Sequence, residues 1–451
     1  MRNAIAVFAA FATAALLPIA IDGSTRQNER PLVLRNVRLI DGIGSAPKDG
    51  QTLVIDRGQI ADIGSEPRIP DGADVRDLAG RTVLPGLVML HEHLVYGGGR
   101  DRLTFQAQPF SAPRLFVAFG VTTVRIAGTP GDPHVEFNLK RWIDSGKVVG
   151  PEMFVSGPAL TVDDPRIVYA VLGGKDMKDA EDARRAVRYW VAEGATAIKI
   201  HEPIERWALE AVIQQAHALK VPVMGHLGPV TCLEAITLGI DFIEHGFDMC
   251  EDDLRGADGK AITDPQAPEA KKLIRAMLDA NVTVTETPIS TAPLSDRHLD
   301  VLGPSAREYY LRSLKSPRPS AATPPAASRG PSLAVVFMRA GGRVVVGSDP
   351  GGVPRIPGFS NHDSVRLLCD ELGFTPLEAI QIATFNGARA LGIDSRTGSL
   401  AKGKEADLMV VRGDPSKSIA DISNIEFVVS NGRVFDPSAL LAEVKGQFGW
   451  R

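Results

Sequence analysis

The chain has 451 residues, of which 44% are hydrophobic and 23% charged. This is the composition of an ordinary globular protein with room for two or three domains, and it excludes a disordered, collagen-like or coiled-coil chain. Lys and Arg total 50 against 54 Asp and Glu, a formal charge of −4, so there is no strong positive field to gather nucleic acid or an anionic membrane. The three cysteines, Cys232, Cys250 and Cys369, are too few for a disulfide framework or a cysteine-rich zinc module. Each reads first as a lone core thiol, with one disulfide of unassigned pairing left open.

Residues 1–22 concern address. Met1-Arg2 precedes an apolar run from Ala4 to Ile21, interrupted by Thr13 and Pro18, and the chain then turns polar at Asp22-Gly23-Ser24. A short cationic start, an apolar stretch and small residues near Ala20 describe a secretory signal peptide. An uncleaved anchor is the alternative. The expectation is an exported protein, periplasmic or secreted, with no stable membrane span after signal removal.

Residues 31–84 alternate in β fashion between turn signals, as in Val37-Arg38-Leu39-Ile40 and Thr52-Leu53-Val54-Ile55. Residues 398–437 repeat the style, with Leu408-Met409-Val410-Val411 and a hairpin candidate around Asn431-Gly432. The two ends are expected to pair into one small β-sandwich domain, with residues 85–397 inserted between them. In that insert, apolar strands are predicted over Thr82–Leu90, Thr122–Ile126, Glu152–Val155, Ala197–Ile200, Val221–Gly225, Phe242–Glu244, Val282–Thr285 and Arg343–Gly347. Amphipathic stretches such as Ala180–Ala192, Ile204–Leu219 and Pro268–Ala280 fall between them. Short apolar strands with helical crossovers imply parallel strands buried on both faces. Ser316 to Ser332, with five prolines, is read as a surface loop and alternatively as a lid.

The nine histidines carry the chemistry. His91 and His93 flank Glu92 after an apolar run, and strand residues two apart face the same side. Lys199, His226, His245 and Asp349 each fall at the end of a predicted strand. From His91 to Asp349 the chain runs close to the about 250 residues of a (β/α)8 TIM-like barrel, in which groups at the carboxyl ends of strands converge on one face. His201, Arg125 and Tyr96 are weaker candidates for substrate contact, and Ser156 and Glu286 weaker still. For Arg125 an internal ion pair is an equal alternative. His134, His217, His298 and His362 read as structural or surface residues.

The segment Leu84-Pro85-Gly86-Leu87-Val88-Met89-Leu90-His91-Glu92-His93 resembles the first barrel strand of the amidohydrolase superfamily. Ile243-Glu244-His245-Gly246, Gly347-Ser348-Asp349 and the tail from Thr375-Pro376 through Gly403-Lys404-Glu405-Ala406-Asp407 resemble its later signatures. The likeness covers roughly residues 31 to 437 and is nearest to the imidazolonepropionase-like and prolidase-like branch. It implies two divalent metal ions, zinc being the default for a histidine-rich site, with manganese or cobalt able to substitute. One ion would be held by His91, His93 and Asp349, the other by His226 and His245. Lys199, carboxylated on its amine, would bridge them. A metal-bridging hydroxide would attack an amide carbonyl, with Asp349 as catalytic acid and base.

The expected substrate is a small peptide-like amide: a dipeptide, an Xaa-Pro peptide or an N-acyl amino acid, including amides of the ochratoxin type. The competing readings are a cyclic amide, lactone or phosphotriester hydrolase, a deaminase on the same scaffold, and a non-catalytic metal-binding protein. A deaminase is disfavoured because His226 is followed by Leu227-Gly228-Pro229-Val230, with no acid before Glu234. Self-association is left open.

Overall fold

The computed structural model describes residues 30–98, 104–162, 175–290, 292–314, 331–352 and 354–450. The expected signal peptide, and all but the last two residues of the proline-rich loop, lie outside the described residues. Among those described, no helix is long and apolar enough to cross a membrane.

Strands from both chain ends share one eight-stranded sheet. Its order is Arg433–Phe435, Ile425–Ser430, Leu408–Arg412, Arg81–Pro85, Leu32–Leu39, Lys48–Asp56 and Gln59–Gly64, with Asp74–Asp77 also paired to Leu32–Leu39. The central contact is the antiparallel ladder of Leu408–Arg412 on Arg81–Pro85. Leu34, Leu53, Ile60, Val83, Leu408 and Val410 pack into one apolar cluster against this sheet.

Apart from a small antiparallel hairpin of Val95–Gly98 on Thr104–Ala107, the remaining strands are parallel. Leu87–Glu92, Val121–Ile126 and Glu152–Val155 form one sheet. Ala159–Thr161, Ile198–Ile200, Val223–Gly225, Phe242–Glu244, Thr283–Glu286 and Arg343–Val346 follow one another in a second, edged by Lys175–Asp176. Hydrogen bonds join the sheets at both ends: Thr196 N donates to Val155 O at 2.8 Å, and Asp349 N donates to His91 O at 3.0 Å. The predicted strand Thr82–Leu90 is corrected here. It is two strands, and the chain passes from one sheet to the other at Gly86, where a Cβ would lie 2.9 Å from Thr122 Cβ.

The crossover helices stop and start on local signals. Asp179 caps Ala180–Glu193 through Asp182 N, and Gly194, at φ +108°, ends it. Thr231 and Glu234 form a capping box at Cys232–Leu238. Pro268 opens Pro268–Asp279. Alternate strand residues such as Met89, Val124, Ile198 and Ile243 pack under these helices. Val88, Leu90, Ala127, Ala197, Met224, Phe242 and Val345 form a separate small cluster on the opposite face. The lone-thiol reading is also corrected: Cys232 and Cys250 form a disulfide, and Cys369 is free.

Two predictions follow from this packing. A Cβ at Gly347 would sit 2.5 Å from the His91 backbone nitrogen, so neither strand can yield cheaply. Gly347→Ala is expected to cost roughly 1–3 kcal/mol of stability, read by chemical denaturation. In the helix Pro133–Asp144, the buried Glu136 carboxyl accepts from Thr129 Oγ1 while its Oε1 has no partner among the described residues. Burial raises it from 4.5 to about 8. The folded state therefore holds this proton where the unfolded chain has released it, and stability is lost as pH rises from 4.5 through about 8. Glu136→Gln should gain on the parent across that interval and match it in pH dependence below 4.5.

Candidate metal centre

The six expected ligands all line one cavity of about 310 Å³. A register shift between Met89 and Glu92 interrupts the ladder of the first parallel strand just where the histidines begin. Such a bulge re-aims side chains. His93 Nε2 lies 3.1 Å and His91 Nε2 3.8 Å from Asp349 Oδ1. The His245 ring stands 4.6 Å from that of His91 and 4.7 Å from that of His226, centroid to centroid. One donor atom each from His91, His245 and Asp349 lie within 4.8 Å of one another.

His245 and Asp349 hold left-handed backbone, at φ +64° and +44°. Non-glycine residues adopt it at a cost of order 1–3 kcal/mol, and such strain gathers at functional sites. His245 is steadied by Thr287 Oγ1, 3.0 Å from its Nδ1.

Lys199 reaches the cavity over Gly128, whose φ of +83° and missing Cβ leave room for the lysine stem. Its Nζ is buried with no hydrogen-bond partner among the described residues. Burial pushes the ammonium down to about 8, against the opposing pull of Glu244 and Asp349. Burial likewise lowers His91 to about 4, His226 to about 3, and His245 further, with Lys199 adding to each. The imidazoles are thus neutral lone-pair donors at neutral pH. Asp349 would be raised by burial alone. The hydrogen bond to His93 and the charge of Arg355 hold it well below the usual carboxylate range. Neutral imidazoles and an ionised carboxylate form a donor set that fits divalent cations, and the orphaned buried amine stands among them.

Three residues escaped the sequence reading. Glu244 is fully buried beneath the site. It pairs with His91 Nδ1, accepts from Arg125 Nη2 at 2.8 Å and accepts from Thr285 Oγ1 at 3.1 Å. Despite burial, Arg125 and His91 hold it below its ordinary value. Glu92 points away from its flanking histidines and accepts from Ser348 N, Ser348 Oγ and Asn361 Nδ2 at 2.8–2.9 Å. It thereby fastens the loop that carries Asp349. Arg355 lines the cavity and donates from Nη1 to Asp349 Oδ2 at 2.6 Å. Glu92 and Glu244 adjoin recognised histidines, which is a signal. Arg355, in an irregular segment, offers none.

His201 does line the cavity, its ring stacked 4.4 Å from that of His226. Arg125 is an internal ion pair rather than a substrate contact: it is 1% exposed, does not line the cavity, and donates to Glu244 and Leu90 O. Tyr96 is corrected too. It packs edge-on to Phe448 and Trp450 and does not line the cavity. Ser156 bridges the backbone of Ile126 and Gly128. Glu286 lines a different cavity, and His134, His217, His298 and His362 also stay out of this one.

Because Glu244 fixes which His91 nitrogen faces the cavity, Glu244→Gln is expected to weaken metal binding about 10- to 100-fold, read by titration of metal-free protein.

The amidohydrolase family profile matches residues 82–435. The imidazolonepropionase of Deinococcus radiodurans is 26% identical over 386 residues, covering 82% of this chain and 87% of that protein. That of Streptomyces avermitilis is 36% identical over 115 residues, only 25% of this chain and 27% of its own length. A Xaa-Pro dipeptidase with bound methionine superposes with a TM-score of 0.67 at 24% identity, covering 90% of this chain and all of that one. The ochratoxinase of A. niger superposes with a TM-score of 0.62 at 21% identity, covering 90% and 96%. Likeness at this identity shows a shared fold.

Proposed function

The chain belongs to the amidohydrolase family and hydrolyses carbon–nitrogen bonds, and from that premise we propose that it cleaves the amide of a small peptide-like substrate bearing a free carboxylate. The single observation that carries this reading is the Lys199 amine, buried without a partner among His91, His226, His245 and Asp349. An ammonium has only donors to offer, so a lysine here makes chemical sense as its carbamate, whose two anionic oxygens can face cations. The proposed scaffold is a (β/α)8 barrel closed through the Asp349–His91 and Thr196–Val155 hydrogen bonds. The composite β domain of residues 31–84 and 398–437 would sit beside the barrel of residues 85–397.

His91, His93 and Asp349 would hold one divalent ion and His226 and His245 a second, with Lys199 between them. When bound, the pair supplies Lewis acidity and a water of lowered pKa. Asp349 is ionised at neutral pH and accepts the proton that the attacking water gives up. It returns that proton to the amide nitrogen, which departs as a neutral amine. Arg355 uses one donor on Asp349 and keeps others for a substrate carboxylate. A cavity of about 310 Å³ suits a dipeptide or N-acyl amino acid. The names of the dipeptidase and ochratoxinase relatives support that class. Export is proposed on the Ala4–Ile21 run, and the Cys232–Cys250 bridge supports an oxidising compartment. Amino-terminal sequencing of the secreted or periplasmic fraction checks it.

The test is a substrate series: N-acyl amino acids, Xaa-Pro and other dipeptides, their carboxyl-terminal amides, lactones and purines, each with and without chelator. Hydrolysis of the free acids, abolished by chelator, is expected. Asp349→Asn should lower kcat/KM by about 100-fold or more, and Arg355→Ala should raise KM for the acids but not for their amides. Labelled bicarbonate should give a carbamate carbon signal that Lys199→Ala removes. Turnover of lactones alone, or ammonia release from purines, defeats the proposal.

A further inference from the structure

Glu286 ends the strand Thr283–Glu286 next to a second cavity of about 570 Å³, which shares no lining residue with the metal centre. The residue is 8% exposed, and its carboxylate has neither a hydrogen-bond nor an ion-pair partner among the described residues. It lies against Gly246, at φ +69°, where a Cβ would come within 2.7 Å of the carboxyl carbon. Asp248, Asp264 and Glu371 join Glu286 in the lining, which among the described residues contains no Lys, Arg or His. Burial, with the charge of Asp248 next, raises Glu286 from 4.5 to about 8, so a cation arriving here would relieve a group the fold leaves uncompensated.

The lining discriminates between kinds of cation. Among the described residues, three donors of metal-ligating type come within 4.8 Å of one another only at His91, His245 and Asp349. The carboxylates at this second cavity therefore do not converge into a metal cage. Its other walls include Phe247, Leu333 and Leu372, apolar surface that hydrated metal ions do not use and that the body of an organic cation does. We propose that this cavity binds a small organic ammonium ion carrying an apolar group, with Glu286 as its buried counter-ion and the Phe247 side offering aromatic surface. The site is independent of the reading of the metal centre.

The experiment is calorimetric titration of benzylamine, with benzoate and magnesium as comparison ligands, into full-length metal-loaded protein. Benzylamine should bind, benzoate should not, and Glu286→Gln should weaken benzylamine at least about tenfold, the equivalent of about 1.4 kcal/mol. Asp349→Asn should leave that binding in place. Absence of benzylamine binding overturns the proposal. So does binding that survives Glu286→Gln but is lost in Asp349→Asn, which would place the amine at the metal centre. Magnesium binding that depends on Glu286, without amine binding, overturns it equally. Should Glu286→Gln fail to fold, as shown by its thermal transition, Asp248→Asn carries the same comparison with the same expected direction.

Discussion

A lysine amine removed from water without a partner is the constraint around which the catalytic region is arranged. Left alone, a buried ammonium costs several kcal/mol, and here it is surrounded by a carboxylate and by imidazoles rather than by a salt-bridging acid. The surroundings are themselves tied down from below. Glu244 is locked to Arg125 and Thr285 and holds the first histidine, while Arg125 also grips the backbone of Leu90. Charge is therefore arranged in two tiers: Glu244 and Arg125 compensate each other underneath, and above them Asp349 is paired with Arg355 while the Lys199 amine is not paired among the described residues.

Two glutamates beside the same histidine show how environment divides one residue type into two roles. Glu244 keeps its negative charge because a guanidinium touches it. Glu92 meets a backbone amide, a hydroxyl and a side-chain amide, and burial raises it to about 8 despite them. A neutral acid is a good fastener between Ser348 and Asn361. A charged one can fix the tautomer of an imidazole and strengthen it as a donor.

Much of this arrangement was legible in the chain itself. Glu152–Val155 and Phe242–Glu244 match the predicted strands residue for residue, and Pro268–Asp279 matches its predicted helix to within a residue. All three are short periodic runs with clear turn or proline punctuation. The six polar residues at strand ends were visible because position along a parallel strand fixes which end of the sheet a side chain occupies. The hidden features depend on long-range packing. Gly86 looks like any residue of an apolar run until Thr122 is brought against it. Arg125 and Tyr96 are kept out of the cavity lining by partners, Glu244 and the carboxyl-terminal aromatics, that are far off in sequence. Arg355 belongs to a loop whose path no local pattern dictates. The cysteine pairing needed coordinates for the same reason.

The Cys232–Cys250 bridge has a bearing on how the protein is prepared. Cys232 opens the helix that follows His226, and Cys250 closes the short 3-10 turn that follows His245. The covalent link thus joins the two segments that present neighbouring imidazoles, holding them in one frame before any ion arrives. Protein produced in a reducing cytoplasm would start with those segments uncoupled. On the proposed two-ion reading, elemental analysis of oxidised and reduced batches would then differ in the ion proposed for this pair of histidines while agreeing in the other, making the oxidation state of the preparation a determinant of its stoichiometry.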